Sequence, residues 1–224
     1  MTVIATDAAR FSNLVKHELW PETGFCRKEV TVNEATAKTY GVGTALGKTL
    51  AGGAGVATAG TNTGNGTVGA ITVSGTAQLG TYKLSITTVG ANAGDFQVVD
   101  PQGDVVGLGR VGVAFSGGGI SFTLADGSVD FVVGDSFTIA VTGTIKYKIA
   151  VQTATDGSAV VAALVVDDYS VLATTDTKVL CLVKGPAEVS KGAIVLDASY
   201  DTVAEKDVVY ASLETLGINV LTTN

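Results

Sequence analysis

Short apolar runs with period-two alternation dominate the chain. Between residues 67 and 142, Val68–Val73, Tyr82–Thr88, Phe96–Val99, Val105–Val113, Ile120–Leu124 and Phe137–Val141 read as strands, and Val129–Val133 is a candidate seventh. Asp100-Pro101-Gln102-Gly103, Gly117-Gly118-Gly119, Asp126-Gly127 and Gly134-Asp135 separate them as turns. That spacing predicts a small antiparallel sandwich or barrel, with Phe96, Phe115, Phe122, Phe131 and Phe137 turned inward. Elsewhere, Glu29–Asn33 and Lys146–Val151 alternate, while Val160–Val166 and Val179–Val183 are continuous apolar runs suited to buried strands. Helical period appears over Ser199–Leu216, where Val203, Val208 or Val209, Leu213 and Leu216 share a face and Gly217 supplies the stop. Ile218–Leu221 reads as a closing strand. The fold class expected is mainly β with a little α: a small α/β domain interrupted by an inserted antiparallel β-sandwich.

The division of the chain follows from where the pattern breaks. Ala51–Gly66 is rich in Gly and Thr without periodicity and reads as linker. The expected organisation is an N-terminal arm over 1–24, a core domain over 25–61 plus 143–224, and an inserted domain over 62–142. In the arm, Phe11, Leu14, Val15 and Leu19 recur at roughly helical spacing, and Trp20-Pro21 begins a turn that ends at Gly24. These six residues, Phe11, Leu14, Val15, Leu19, Trp20 and Pro21, are the candidate contact residues. Aromatics in a terminal arm order on a partner; a place for Trp20 in the core is the other reading.

Composition and charge narrow the chemistry. The chain carries 14 basic and 21 acidic residues, a formal net charge of −7. Binding to nucleic acid or an anionic membrane surface is therefore not expected, because both need a basic face. No signal peptide is expected at the N-terminus, and the longest apolar run, Ala159–Val166, is too short to span a bilayer. Two cysteines, Cys26 and Cys181, make neither a disulfide framework nor a four-ligand zinc site, and both are expected reduced.

Candidate motifs fall away one by one. Gly41–Thr49 looks like a phosphate loop, but Val42 stands where the first Gly belongs. Gly107-Leu108-Gly109-Arg110-Val111-Gly112 matches G-x-G-x-x-G, yet strand and turn follow it rather than a helix. A serine nucleophile lacks a base, since the single histidine, His17, lies in the arm. Asp167-Asp168 point to opposite strand faces. Asp126, Asp130 and Asp135 lack the spacing of a calcium loop. Asn65-Gly66-Thr67 is a sequon in form only. No enzyme, cofactor or metal is expected.

With the insert set aside, the chain resembles the lambda-type head decoration proteins of tailed bacteriophages. The resemblance is carried by Arg27–Val32, by Tyr40 through Gly43-Thr44-Ala45-Leu46-Gly47-Lys48, and by Lys146-Tyr147 leading to Asp156-Gly157-Ser158 and the apolar strand after it. Val179–Val189, with Lys184-Gly185-Pro186-Ala187-Glu188-Val189, and Leu213–Ile218 complete the ordered set. It implies a non-catalytic subunit on the outer surface of the virion. That subunit binds the major capsid protein as homotrimers at three-fold positions of an expanded shell and stabilises it, with an arm that adds to a capsid sheet. The insert would then project outward. A second reading, from another class, is a glycan- or surface-binding β-module.

Overall fold

A computed structural model describes residues 10–222. In chain order the elements are α1 Phe11–Leu14, β1 Val15–Glu18, β2 Arg27–Val32, β3 Lys38–Tyr40, β4 Ala45–Ala59, β5 Thr67–Val68, β6 Thr72–Val73, β7 Gly80–Gly90, β8 Ala93–Val99, β9 Val105–Arg110 and β10 Ala114–Gly117. There follow β11 Ile120–Ala125, β12 Ser136–Ile149, β13 Val161–Val165, β14 Tyr169–Val171, β15 Thr177–Leu182, β16 Ala187–Ser190, α2 Val203–Thr215 and β17 Ile218–Leu221. The chain is mainly β with little α, as its alternation predicts. It divides into two compact units, Met1–Thr49 with Ile145–Asn224, and Leu50–Thr144.

In the first unit, β2, β15, β13, β4 and β12 are successive neighbours, and β12 pairs back onto β2 at Tyr147 and Val32. The wall therefore closes into a small barrel and loses its free edges. Val30, Val32, Tyr40, Leu46, Ala163, Val165, Val179 and Cys181 fill the interior. Among them the Tyr40 hydroxyl donates to Glu34 Oε1 at 2.6 Å, and the same oxygen accepts the Ile149 N–H at 2.7 Å. That pairing satisfies a buried carboxylate. Burial, then the Glu34 contact, pushes the Tyr40 hydroxyl pKa up.

All five residues of β13 are buried. Ala163 and Val165 enter the barrel, while Val161 and Leu164 join a second core with Leu14, Val15, Leu182, Val189, Val209, Leu213 and Ile218. This second core lies against α2 and the sheet β1-β16-β17. The helix starts at Val203, not Ser199. Thr202 accepts the Glu205 N–H, and the Glu205 carboxylate returns to the Thr202 N–H, a reciprocal cap. Tyr200 lies buried before it, its hydroxyl donating to the Ala159 carbonyl at 2.7 Å. Of the two alternatives on the apolar face, Val209 is buried and Val208 exposed; Val203 is exposed as well.

The second unit has one sheet in the order β12-β7-β8-β9, with the Leu50–Ala59 part of β4 flanking β12, and another in the order β10-β11-β5 with β6 on β11. Phe96 from the first sheet meets Phe115 and Phe122 from the second at ring separations of 5.8 and 6.0 Å, so the two sheets share one aromatic core. The run after Ala51 is strand to Ala59, not linker. Its glycines serve contact: a Cβ on Gly53 or Gly55 would fall 2.6 Å from Val73 or Ile71. Val129–Val133 is not a strand, because its backbone is held from the side by Asn65 and Asp135.

Asp135 is the clasp of this unit. Its Oδ1 accepts the Thr63 N–H, and its Oδ2 accepts those of Gly64 and Val132, at 2.9–3.1 Å. Asn62 exchanges two further bonds with Ser136. Burial alone would raise the Asp135 pKa, but the three backbone donors outweigh it and hold the carboxyl below its ordinary 3.8. Because the folded value is the lower one, the clasp's contribution is complete above about pH 4 and lost as pH falls further. Asp135→Ala leaves three N–H groups without their acceptor and is expected to cost about 3 kcal/mol. Chemical denaturation measures that loss, and faster hydrogen exchange at Thr63 and Gly64 localises it.

Candidate functional site

The N-terminal segment, read from sequence as an arm, is built into the first unit from Phe11 onward. β1 pairs antiparallel with β16, and Leu14 and Val15 are buried. The Leu19 N–H donates to the Pro186 carbonyl at 3.0 Å, and the Cys26 thiol donates to the same oxygen at 3.4 Å. Arg27 pairs with the buried Glu18, its Nε donating at 3.1 Å. The apolar positions that looked like arm contacts are thus consumed by the unit's own core. Residues 1–9 of the expected arm lie outside the described residues.

What this segment exposes is the turn between Leu19 and Cys26. Trp20 has φ 49° and Gly24 φ 64°, both left-handed, and Pro21–Thr23 between them forms one 3-10 turn. Pro21 fixes its own φ at the start of that turn. The Trp20 carbonyl accepts both the N–H and the hydroxyl of Thr23. A left-handed backbone costs a non-glycine residue about 1 kcal/mol. The turn holds Trp20 there and leaves it 54% exposed.

Phe25 returns on the far side of the turn, and its ring meets Trp20 edge-on at 5.3 Å. The Lys184 ammonium stands 3.8 Å from the centre of the Phe25 ring, and the Arg27 guanidinium 4.4 Å from that of Phe11. Two exposed aromatics, two cations and a fixed backbone thus make a rigid surface suited to docking. Trp, Tyr and Arg dominate the binding energy of protein interfaces, and a fixed turn lowers the ordering cost.

The six candidate contact residues therefore separate. Trp20 and Pro21 are exposed, Phe11 and Leu19 half-buried, and Leu14 and Val15 buried. Sequence reasoning missed Phe25, Arg27 and Lys184. The turn signal Pro21–Gly24 was enough to bring Phe25 beside Trp20; nothing local announces Lys184.

The remaining motifs have structural explanations. In Gly107–Gly112, a Cβ on Gly109 would lie 2.3 Å from the Phe96 ring and one on Gly107 2.8 Å from Phe115, so these glycines make room for the aromatic core. In Gly41–Thr49, a Cβ on Gly43 or Gly47 would strike the carbonyl of Ala193 or Ser158. Asp168 caps that segment by accepting the Val42 N–H. Asp130 accepts the Asn92 N–H and Asp135 is the clasp; among the described residues no three acidic, His or Cys side chains gather as a metal site. Cys26 and Cys181 are free thiols in different cores, and burial pushes Cys181 up to about 12. Every aromatic ring of the second unit, Tyr82 and the five phenylalanines, is buried, which leaves no exposed ring there for stacking on a sugar.

The family model of the bacteriophage lambda head decoration protein D matches residues 121–218, from β11 to the start of β17. No curated protein matches the chain. Among solved structures, FlgL of Xanthomonas campestris aligns in two crystal forms at 26% and 24% identity, covering 46% and 48% of this chain and 33% of that one, with TM-scores of 0.33. The flagellar junction protein FlgL from Legionella pneumophila aligns at 16% identity over 48% of this chain and 38% of its own, also with a TM-score of 0.33. The chain spans about a third of the length of these structures, and likeness at that score carries no argument about fold.

Truncating the two ends of the segment should have unequal consequences for stability. Leu14→Ala opens a cavity in the second core and is expected to cost about 3 kcal/mol. Trp20→Gly removes an exposed ring and a left-handed strain together, and the net change is expected to stay within about 1 kcal/mol. Urea unfolding followed by far-UV circular dichroism distinguishes the two.

Proposed function

We propose that this chain, whose residues 121–218 match the bacteriophage lambda head decoration protein D family model, is a structural virion protein that binds the outside of the expanded head and stabilises the shell. The observation that carries the docking part of this reading is the exposed Trp20–Phe25 pair on its fixed turn, in the unit that shares most of its length with the family match. The major capsid protein is the partner, and the subunit acts as a homotrimer at local three-fold positions. Each chain of the trimer offers one such surface, so three modest contacts give long-lived attachment through effective concentration. A ligand that engages only the assembled shell shifts its equilibrium away from disassembly. A symmetric trimer meets symmetric neighbours with identical surfaces. In this reading the acidic second unit projects away from the shell as an accessory module, an immunoglobulin-like insert.

Sedimentation of the purified protein with expanded, undecorated heads tests the reading. Saturation at three copies per local three-fold is expected, and Trp20→Ala should weaken binding by about tenfold or more, the loss typical of a hot spot. No sedimentation of the wild-type protein with the heads overturns the reading.

A further inference from the structure

Basic residues are distributed unevenly in this acidic chain. Of 14, only Lys83 and Arg110 belong to the second unit. Three of the others, Lys28, Lys48 and Lys178, converge on one open groove of about 420 Å³ on the barrel wall, floored by Ile145 and Tyr147. Lys28 and Lys48 are exposed. Lys178 donates to the Thr31 hydroxyl at 2.9 Å.

The lysines beside this groove are spent on ion pairs: Lys146 with Asp176 at 2.8 Å and Lys148 with Asp156 at 2.7 Å. Among the described residues, neither Lys28 nor Lys48 has a carboxylate or hydrogen-bond partner. Glu29 is the one acid in the lining. A chain of net charge −7 thus keeps a concave surface where three lysines meet one lining carboxylate, with Asp176 acting on Lys178 alone of the three. Like-signed charges held together repel, and the natural relief is an anion supplied from outside.

We infer that this groove binds an extended acidic segment of a protein partner, with Asp or Glu carboxylates on the three ammonium groups and aliphatic side-chain stems over Ile145 and Tyr147. The groove's size suits a few residues of peptide rather than a folded surface. A nucleic acid fits less well, because a long polyanion is repelled by the chain's net charge of −7. The inference deepens the decoration reading and rests on it only for the partner's identity, a segment of the head shell.

The test uses the full chain and a fluorescently labelled hexaglutamate peptide, read by anisotropy at low and rising salt. Binding is expected to fall by about tenfold or more in Lys28→Glu/Lys48→Glu, to strengthen in Glu29→Lys, and to fade as salt rises. All three positions are exposed, and circular dichroism verifies that the variants stay folded. Unchanged affinity in the folded double variant overturns the inference, as does equal or tighter binding of a single-stranded oligonucleotide of the same charge. Sedimentation with undecorated heads separates this inference from the reading it rests on. If the wild type and the double variant sediment equally, the groove inference falls and decoration stands. If the wild type does not sediment but still binds hexaglutamate through Lys28 and Lys48, decoration falls and the groove stands.

Discussion

Strand β13 is buried on both faces, and that double burial ties the barrel interior to the layer of α2 and the β1-β16-β17 sheet. A strand with one wet face would support a single core; this one contributes to two at once. Burial of aliphatic side chains at roughly 25 cal/mol per Å² makes such a strand a large share of a unit's stabilisation. Other features follow from it. Tyr200 reaches the carbonyl of Ala159 just before the strand, which sets where α2 begins, and Leu14 and Val15 pack into the same second core. From Phe11 onward the N-terminal segment is thereby drawn into the body of the unit, and its turn at Trp20 is left exposed.

Much of this was legible in the residues. The continuous apolar run at Val160–Val166 signals a strand with two apolar faces, and the alternation of residues 67–142 signals antiparallel sheets around a phenylalanine core. Errors arose where the same residue types serve two purposes. The glycines after Ala51 resemble linker, yet they lie under Val73 and Ile71, which leave no room for a side chain. Phe11, Leu14, Val15 and Leu19 resemble the apolar stripe of a terminal arm, but apolar spacing does not say whose core receives it. The choice between Val208 and Val209 depended on the cap at Thr202, which fixes the helix phase. The docking surface was half legible: Trp20 and its turn are local features, whereas Lys184 arrives from 164 residues away by tertiary contact alone.

The two surfaces described on the first unit work by different physics. Around Trp20 the backbone is fixed and the contact is aromatic, so its strength lies in buried area and low ordering cost. In the lysine groove the contact is ionic, so its strength lies in approach rate and varies with salt. If the protein decorates a shell as proposed, the two are complementary: charge orients the encounter and a rigid ring prolongs it.

The antiparallel pair β4 and β12 carries the chain out of the first unit and back into it. Gly143 packs on Leu50 at the crossing, so departure and return are about one strand spacing, roughly 4.8 Å, apart. A segment spliced in at that point needs nothing from its host except that its own two ends meet. Such a junction behaves as a socket. Whatever closed domain occupies it can be exchanged over evolutionary time without revising a residue of the barrel, so one unit is free to diversify while the other is left alone.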